Sequence, residues 1–189
     1  MRLRVIVTLA MALCLGVGSA SAASIGIYAD LAGNVCHGTI MPGVNPNLYV
    51  LALANGPAAG GITGAECRVD GLPPGWMAFA TANSGTALGN IMAGGGNVAF
   101  PICMPGQPPN GMVLCWTIFV IPTTVVGPTY LTVKQHSTTP TLPCPLVTLC
   151  DPPAYTPVCV SGGQFTINGG PCTVAVQPST WSKVKGLYN

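Results

Sequence analysis

AECRVD at residues 65–70 runs into GLPPG at 71–75 and then WMAFAT at 76–81. The first run alternates: Ala65, Cys67 and Val69 take one side, Glu66, Arg68 and Asp70 the other. That two-residue period belongs to a half-buried strand, not to a helix. Asp70-Gly71 and Pro73-Pro74-Gly75 are turn formers, and the chain resumes in a second strand-like run. Strand, turn and strand at this spacing recur outward along the chain. Comparable runs lie at 24–29, 48–54, 98–103, 113–121, 129–135, 164–168 and 173–177. The run LYVLALA at 48–54 is apolar on both parities, as a central strand buried on both faces would be.

No stretch between these runs carries a helical period, and 19 prolines disfavour helix interiors. Strands without intervening helices imply antiparallel sheets. The expected fold class is all-β, an antiparallel β-sandwich of immunoglobulin-like general architecture stapled by disulfides. A membrane barrel needs strands of about ten residues with a polar lumen face, and most of the runs here are shorter. Residues 85–96 are Gly-rich and read as a loop. Residues 137–157 carry six prolines and read as a crossover between sheets, or as a linker to a small C-terminal unit.

The two ends differ from the middle. Arg2 and Arg4 precede an apolar run at 5–18, shorter than the roughly 20 residues that span a bilayer. Ala20-Ser21-Ala22 fits a signal-peptidase site, so cleavage is expected before Ala23. This divides the chain into a leader at 1–22, a sandwich domain at 23–178 and a tail at 179–189. In the tail, Trp181, Val184 and Leu187 or Tyr188 sit at helical spacing behind Ser179, a candidate cap. The expectation is a short C-terminal helical turn that either docks on the sheet or serves as a recognition signal.

Charged residues are only 5% of the chain. Beyond the leader, Arg68, Lys134, Lys183 and Lys185 balance Asp30, Glu66, Asp70 and Asp151. Nucleic-acid binding, which needs a basic surface to neutralise phosphates, is thereby excluded. An interaction surface on such a chain would be apolar or hydrogen-bonding. No membrane span is expected once the leader is removed.

Cys14 leaves with the leader, and Cys36, Cys67, Cys103, Cys115, Cys144, Cys150, Cys159 and Cys172 remain. An even set in an exported chain reads as a disulfide framework, and spacing alone cannot choose among 105 pairings. Local placement suggests Cys144 with Cys150 around a five-residue loop and Cys159 with Cys172 across a hairpin. Cys67 and Cys115, each in an apolar strand, would meet across the core. No C-x-x-C pair is present, so no metal and no cofactor are expected.

Candidate chemistry is sparse. Glu66 and Asp70 share a strand face but would lie about 13 Å apart along it, wider than the roughly 5–9.5 Å of a glycosidase pair. Arg68 between them would neutralise both in a surface ion-pair row. Cys36 and His37 adjoin in sequence, which on an extended chain points them apart. His136 with Ser137 and Asp151 contains the residue types of a hydrolytic triad, without a G-x-S-x-G elbow. Gly94-Gly95-Gly96 lacks the lysine and helix of a phosphate loop. Trp76, beside a Pro-Pro-Gly turn, is the candidate ligand-binding residue, a rim aromatic able to stack on a sugar.

The strings ECRVDGLPPGW, PCPLVTLCDPP and STWSKVKGLY together resemble exported bacterial proteins with a signal peptide, one Cys-containing β domain and a short terminal Trp-Lys-Leu-Tyr segment. The resemblance covers most of the chain after the leader. It implies export from a bacterium and carries no activity and no site residue. The reading is a secreted, periplasmic or cell-surface non-enzymatic module, binding or structural, with a protein or glycan partner. Two alternatives accompany it. One is a secreted hydrolase built on His37 or His136. The other is a self-assembling surface subunit, favoured by any long unpaired apolar edge such as 113–121.

Overall fold

The computed structural model describes residues 23–138 and 140–171. The expected leader, the strand at 173–177 and the helical tail lie outside them. Two β-sheets pack face to face. The first contains β1 (Ser24–Tyr28), β3 (Asn47–Leu53), β5 (Met77–Ala82), β8 (Met112–Ile121) and β12 (Ser161–Gly162), in the order β12-β1-β3-β8-β5. The second contains β2 (His37–Gly38), β4 (Ile62–Asp70), β6 (Thr86–Asn90), β7 (Gly95–Met104), β9 (Thr129–Lys134), β10 (Leu146–Leu149), β11 (Pro157–Cys159) and β13 (Gln164–Ile167). Its path runs β11-β10-β4-β9-β13-β2, and a β7–β6 hairpin is also joined to β4. The fold is the expected all-β sandwich.

Most pairs are antiparallel. Two are parallel, which the strand-only pattern did not suggest: β1 with β12 (Ser24 opposite Ser161) and β2 with β13 (His37 opposite Thr166). Both join early strands to late ones, and each covers two residues. Hairpins connect only neighbours in sequence, so a late strand that returns beside an early one is free to run either way.

The core lies between the sheets. β1 contributes Ile25 and Ile27, and β3 contributes Leu48, Val50 and Ala52. From the second sheet, Ala65, Cys67 and Val69 of β4 face them, the alternation seen in the sequence. Burying each large aliphatic side chain stabilises the fold by about 1.5–3 kcal/mol. The register between β3 and β8 slips at Val50/Leu51, a bulge that brings both Cys115 and Trp116 of β8 to the core. Beyond the bulge, Leu51, Leu53 and Met112 turn to the outer face. There they form a second small core with Tyr28 and Cys36. This is why β3 is apolar on both parities.

Gly71 follows β4 with φ +95°, and a Cβ there would collide with the carbonyl of Tyr130. The Asp70-Gly71 turn therefore requires glycine. Residues 85–96 are not one irregular loop: β6 and the start of β7 form an antiparallel hairpin within them. The 137–157 stretch is not a linker to a separate unit either. It contains β10, which pairs with both β4 and β11, and residues after it supply strands to both sheets.

The cysteines depart from the local guesses. Cys103 is bonded to Cys150 and Cys144 to Cys159, and Cys36 is also in a disulfide. Cys144 and Cys150 do not pair, because β10 stretches between them. Six extended residues span about 20 Å, against a limit of about 7 Å between bridged Cα atoms. Cys159, taken by Cys144, is not available to Cys172, which lies outside the described residues. Cys67 and Cys115, expected as a bridge, are free buried thiols. They project into the core from opposite sheets, with no bond between them. Cys115 turns its thiol to the carbonyl of Val113 in its own strand instead.

Candidate functional site

Among the described residues, each Asp and Glu side chain has a structural partner. Asp30 accepts hydrogen bonds from the backbone N–H of Asn34 (2.9 Å) and Val35 (2.8 Å), closing the turn after β1. Glu66 is 3% exposed although it points away from the sandwich core. Thr141 covers it, donating its N–H to Oε1 at 3.0 Å and its hydroxyl to Oε2 at 2.7 Å. Asp70 pairs with Arg68 (3.1 Å) and Lys134 (3.4 Å). The expected ion-pair row is thus shorter than the sequence implied: Arg68 serves Asp70, and Thr141 serves Glu66. Asp151 accepts from both the hydroxyl and the N–H of Thr156. These bonds, the hydroxyl first, hold its carboxyl below the usual carboxylate range.

The histidines are placed by the sheets. His37 lies in the two-residue β2 and is exposed. His136 is buried against Gly95, where a Cβ would stand 2.5 Å from its ring. Its Nδ1 accepts the N–H of Thr138 at 3.3 Å. Ser137 donates to the carbonyl of Gly94 at 2.6 Å. Ser137 is thus tied to the turn between β6 and β7, and Asp151 to its own loop. Among the described residues, no group of three or more His, Cys, Asp or Glu side chains could hold a metal ion.

Trp76 is not a rim aromatic. It is 5% exposed and closes the end of the core, with Nε1 donating to the carbonyl of Thr124 at 3.0 Å. Pro73-Pro74-Gly75 folds the chain so that the indole turns inward. The two free thiols are inert for the same reason of burial. Desolvation pushes Cys115 up to about 12. It pushes Cys67 well above its usual value, with the charges of Cys115 and Glu66 adding to the effect.

What remains open is a sheet face. On the outer side of the first sheet, β5 and β8 pair over six successive residues without a bulge. Phe79 stands opposite Phe119, and Met77 opposite Ile121. Phe119 is also opposite Asn47 of β3. The next row is Thr81, Thr117, Tyr49 and Tyr28. Phe79 is 58% exposed, Met77 50% and Phe119 39%. At the other end of the same face, the loop at 29–36 covers the small second core. The open end carries no charged residue. The sequence showed the alternation of WMAFAT but not which parity is outside, because Ala78, Ala80 and Ala82 are also apolar.

No family model matches the chain, and no curated protein matches it. Among solved structures, it is similar to the sixth cohesin of scaffoldin B from Acetivibrio cellulolyticus, determined with a dockerin. That similarity has 13% identity and a TM-score of 0.48, covering 79% of this chain and 99% of that one. It is also similar to a type I cohesin in a cohesin–dockerin complex from Clostridium thermocellum, with 8% identity, a TM-score of 0.46 and 77% and 93% covered. A third is the seventh ScaB type I cohesin from Pseudobacteroides cellulosolvens, with 10% identity, a TM-score of 0.47 and 80% and 95% covered.

Proposed function

We propose that the chain is an exported, non-enzymatic β-sandwich module that binds a protein partner on the open end of its first sheet. The observation that carries this reading is the exposed Phe79–Phe119 pair with Met77 beside it, on a regular two-strand surface. Aromatic and Met side chains on an ordered face are the usual anchors of a protein interface. The four occupied carboxylates support a binding role over catalysis, which needs titratable groups converging on a substrate. The bonded cysteines support an oxidising compartment. No helix of the described residues is long and apolar enough to cross a membrane.

The partner surface is apolar, since the face offers neither ion pairs nor a charge to steer association. Binding is therefore expected to vary little with salt. The test places a photo-crosslinking amino acid at position 119 in the producing cells, and a control at Val125, which is 74% exposed on a different segment. A discrete cross-linked protein from position 119 alone, lost in Phe79→Lys, is the expected result. Equal crosslinking from both positions, or none from 119, overturns the reading.

A further inference from the structure

β5 is an edge strand, and it is the one long edge of the described residues that carries no protection. It pairs with β8 alone. Asn83, just past its end, donates its N–H to the carbonyl of Cys115 at 2.9 Å. In an antiparallel ladder, every second residue directs its backbone polar groups to the same neighbour. Residues 77, 79 and 81 therefore face β8, in phase with Asn83. The N–H and C=O groups of Ala78, Ala80 and Ala82 project from the free edge.

Native sheets usually block such rows with Lys, Pro, a bulge or a very short strand. The other edges here do so. β12 and β2 are two residues long. β11 begins at Pro157 and is tied by the Cys144–Cys159 bond. β6 contains Gly89 at φ +80°. β5, MAFATA, has six residues, no charge, no proline and an unbroken register.

We propose that a second copy of this chain pairs with β5 about a two-fold axis, antiparallel, joining the two first sheets into one. With Ala80 on the axis, Ala80 faces its own symmetry mate and Ala78 faces Ala82. All three outward residues of each copy are then matched, and the small alanine side chains let the strands approach. Charge permits the pairing. β5 and the adjoining face residues Asn47, Tyr49, Thr117 and Phe119 are uncharged. With no charge on β5 itself, two copies bring no like charges together along the paired edges. Phe79, exposed in one copy, gains the neighbouring strand as cover. An isologous contact of this kind closes at two copies.

The test is light scattering and sedimentation of the full exported protein over a wide concentration range. A doubled mass is expected. Ala80→Pro removes the central outward donor, a substitution that edge strands tolerate when the N–H faces solvent. It should give a folded monomer. Phe79→Lys places charges beside the axis from an exposed position with no core role, and should weaken the dimer by at least about tenfold. It decides the matter even if Ala80→Pro fails to fold. Phe119→Lys, one strand in from the edge, should leave the dimer intact while abolishing partner crosslinking from a probe placed instead at Thr117 on the same face, which separates this proposal from the binding reading above. A monomer at every concentration, assemblies larger than two, or a dimer that survives both β5 substitutions overturns it. A mixed complex with a strand from a different protein in place of the second copy also overturns it.

Discussion

The side chain of Asn168 holds the backbone of Ile40 in both directions. Its Oδ1 accepts the N–H of Ile40 at 2.8 Å, and its Nδ2 donates to the carbonyl of Ile40 at 3.1 Å. The same Nδ2 donates to the carbonyl of Val126 at 3.0 Å. Asn168 sits at φ +51°, which asparagine tolerates better than most residues. One side chain thus ties the end of β13 to the loop after β2 and the loop before β9. Asn168→Ala should lose about 3 kcal/mol of stability, from three hydrogen bonds of about 1 kcal/mol each. Asn168→Asp keeps the acceptor but sets a carboxylate oxygen against the carbonyls of Ile40 and Val126, and should be at least as unstable as the Ala variant in urea denaturation. An Ala variant as stable as wild type would show that water replaces these contacts.

The buried thiols set an alkaline limit. Both have pKa values raised by burial, Cys115 to about 12 against an ordinary 9.0. The unfolded state therefore ionises first. Stability from the neutral thiols is complete below pH 9 and is lost as pH rises from there toward 12. Cys67→Ala with Cys115→Ala should flatten that decline in denaturation profiles. The same burial predicts that alkylating reagents label neither thiol in the native protein at neutral pH and label both after unfolding.

The two described bridges should differ in what they contribute. Cys103–Cys150 closes a separation of 47 residues and Cys144–Cys159 one of 15. In the chain-entropy model these correspond to about 4 and about 3 kcal/mol. Replacing each pair by serine should lower the urea midpoint more for the first than for the second. Reversal of that order would place the effect in the native state around β10 instead of the unfolded chain.

Thr141 is the cover of a buried carboxylate. Thr141→Val removes the hydroxyl bond to Glu66 and leaves the N–H bond in place. A cost of about 2 kcal/mol is expected for a lost bond to a charged group. Asp151 provides the acid-side test. Its carboxyl is held below 3.8 by Thr156, so what it contributes is present above that pH and is lost as pH falls through its folded value. The amide resonance of Thr156 should report the change, and Asp151→Asn should abolish it.

The sheets were legible in the sequence where one face is buried and the other wet, as in Ala65, Cys67 and Val69 against Glu66, Arg68 and Asp70. β3 was legible as a central strand because both of its parities are apolar. β6 was not, since all five of its residues are exposed and no parity stands out. β12 and β2 are too short to show a period. The bulge at Cys115 was invisible for a similar reason: VLCW is apolar throughout, so a slip of one residue leaves no mark. That slip turns both Cys115 and Trp116 to the core. Trp76 was misplaced because a turn sequence does not say to which side the next ring folds. The run at 113–121, read as a possible open edge, is flanked by β3 and β5. The open edge is β5, whose alanines hide it.

The pairing of Ser24 with Ser161 has a consequence for the order of assembly. Among the described strands, the one that the chain makes first has a neighbour that it makes almost last. A ribosome or translocation channel delivers the chain from the N-terminus, so β1 emerges long before β12 exists. Its outer edge must stay unpaired throughout that time. The first sheet can close on this side only once Gly162 is free, which makes folding slow by topology.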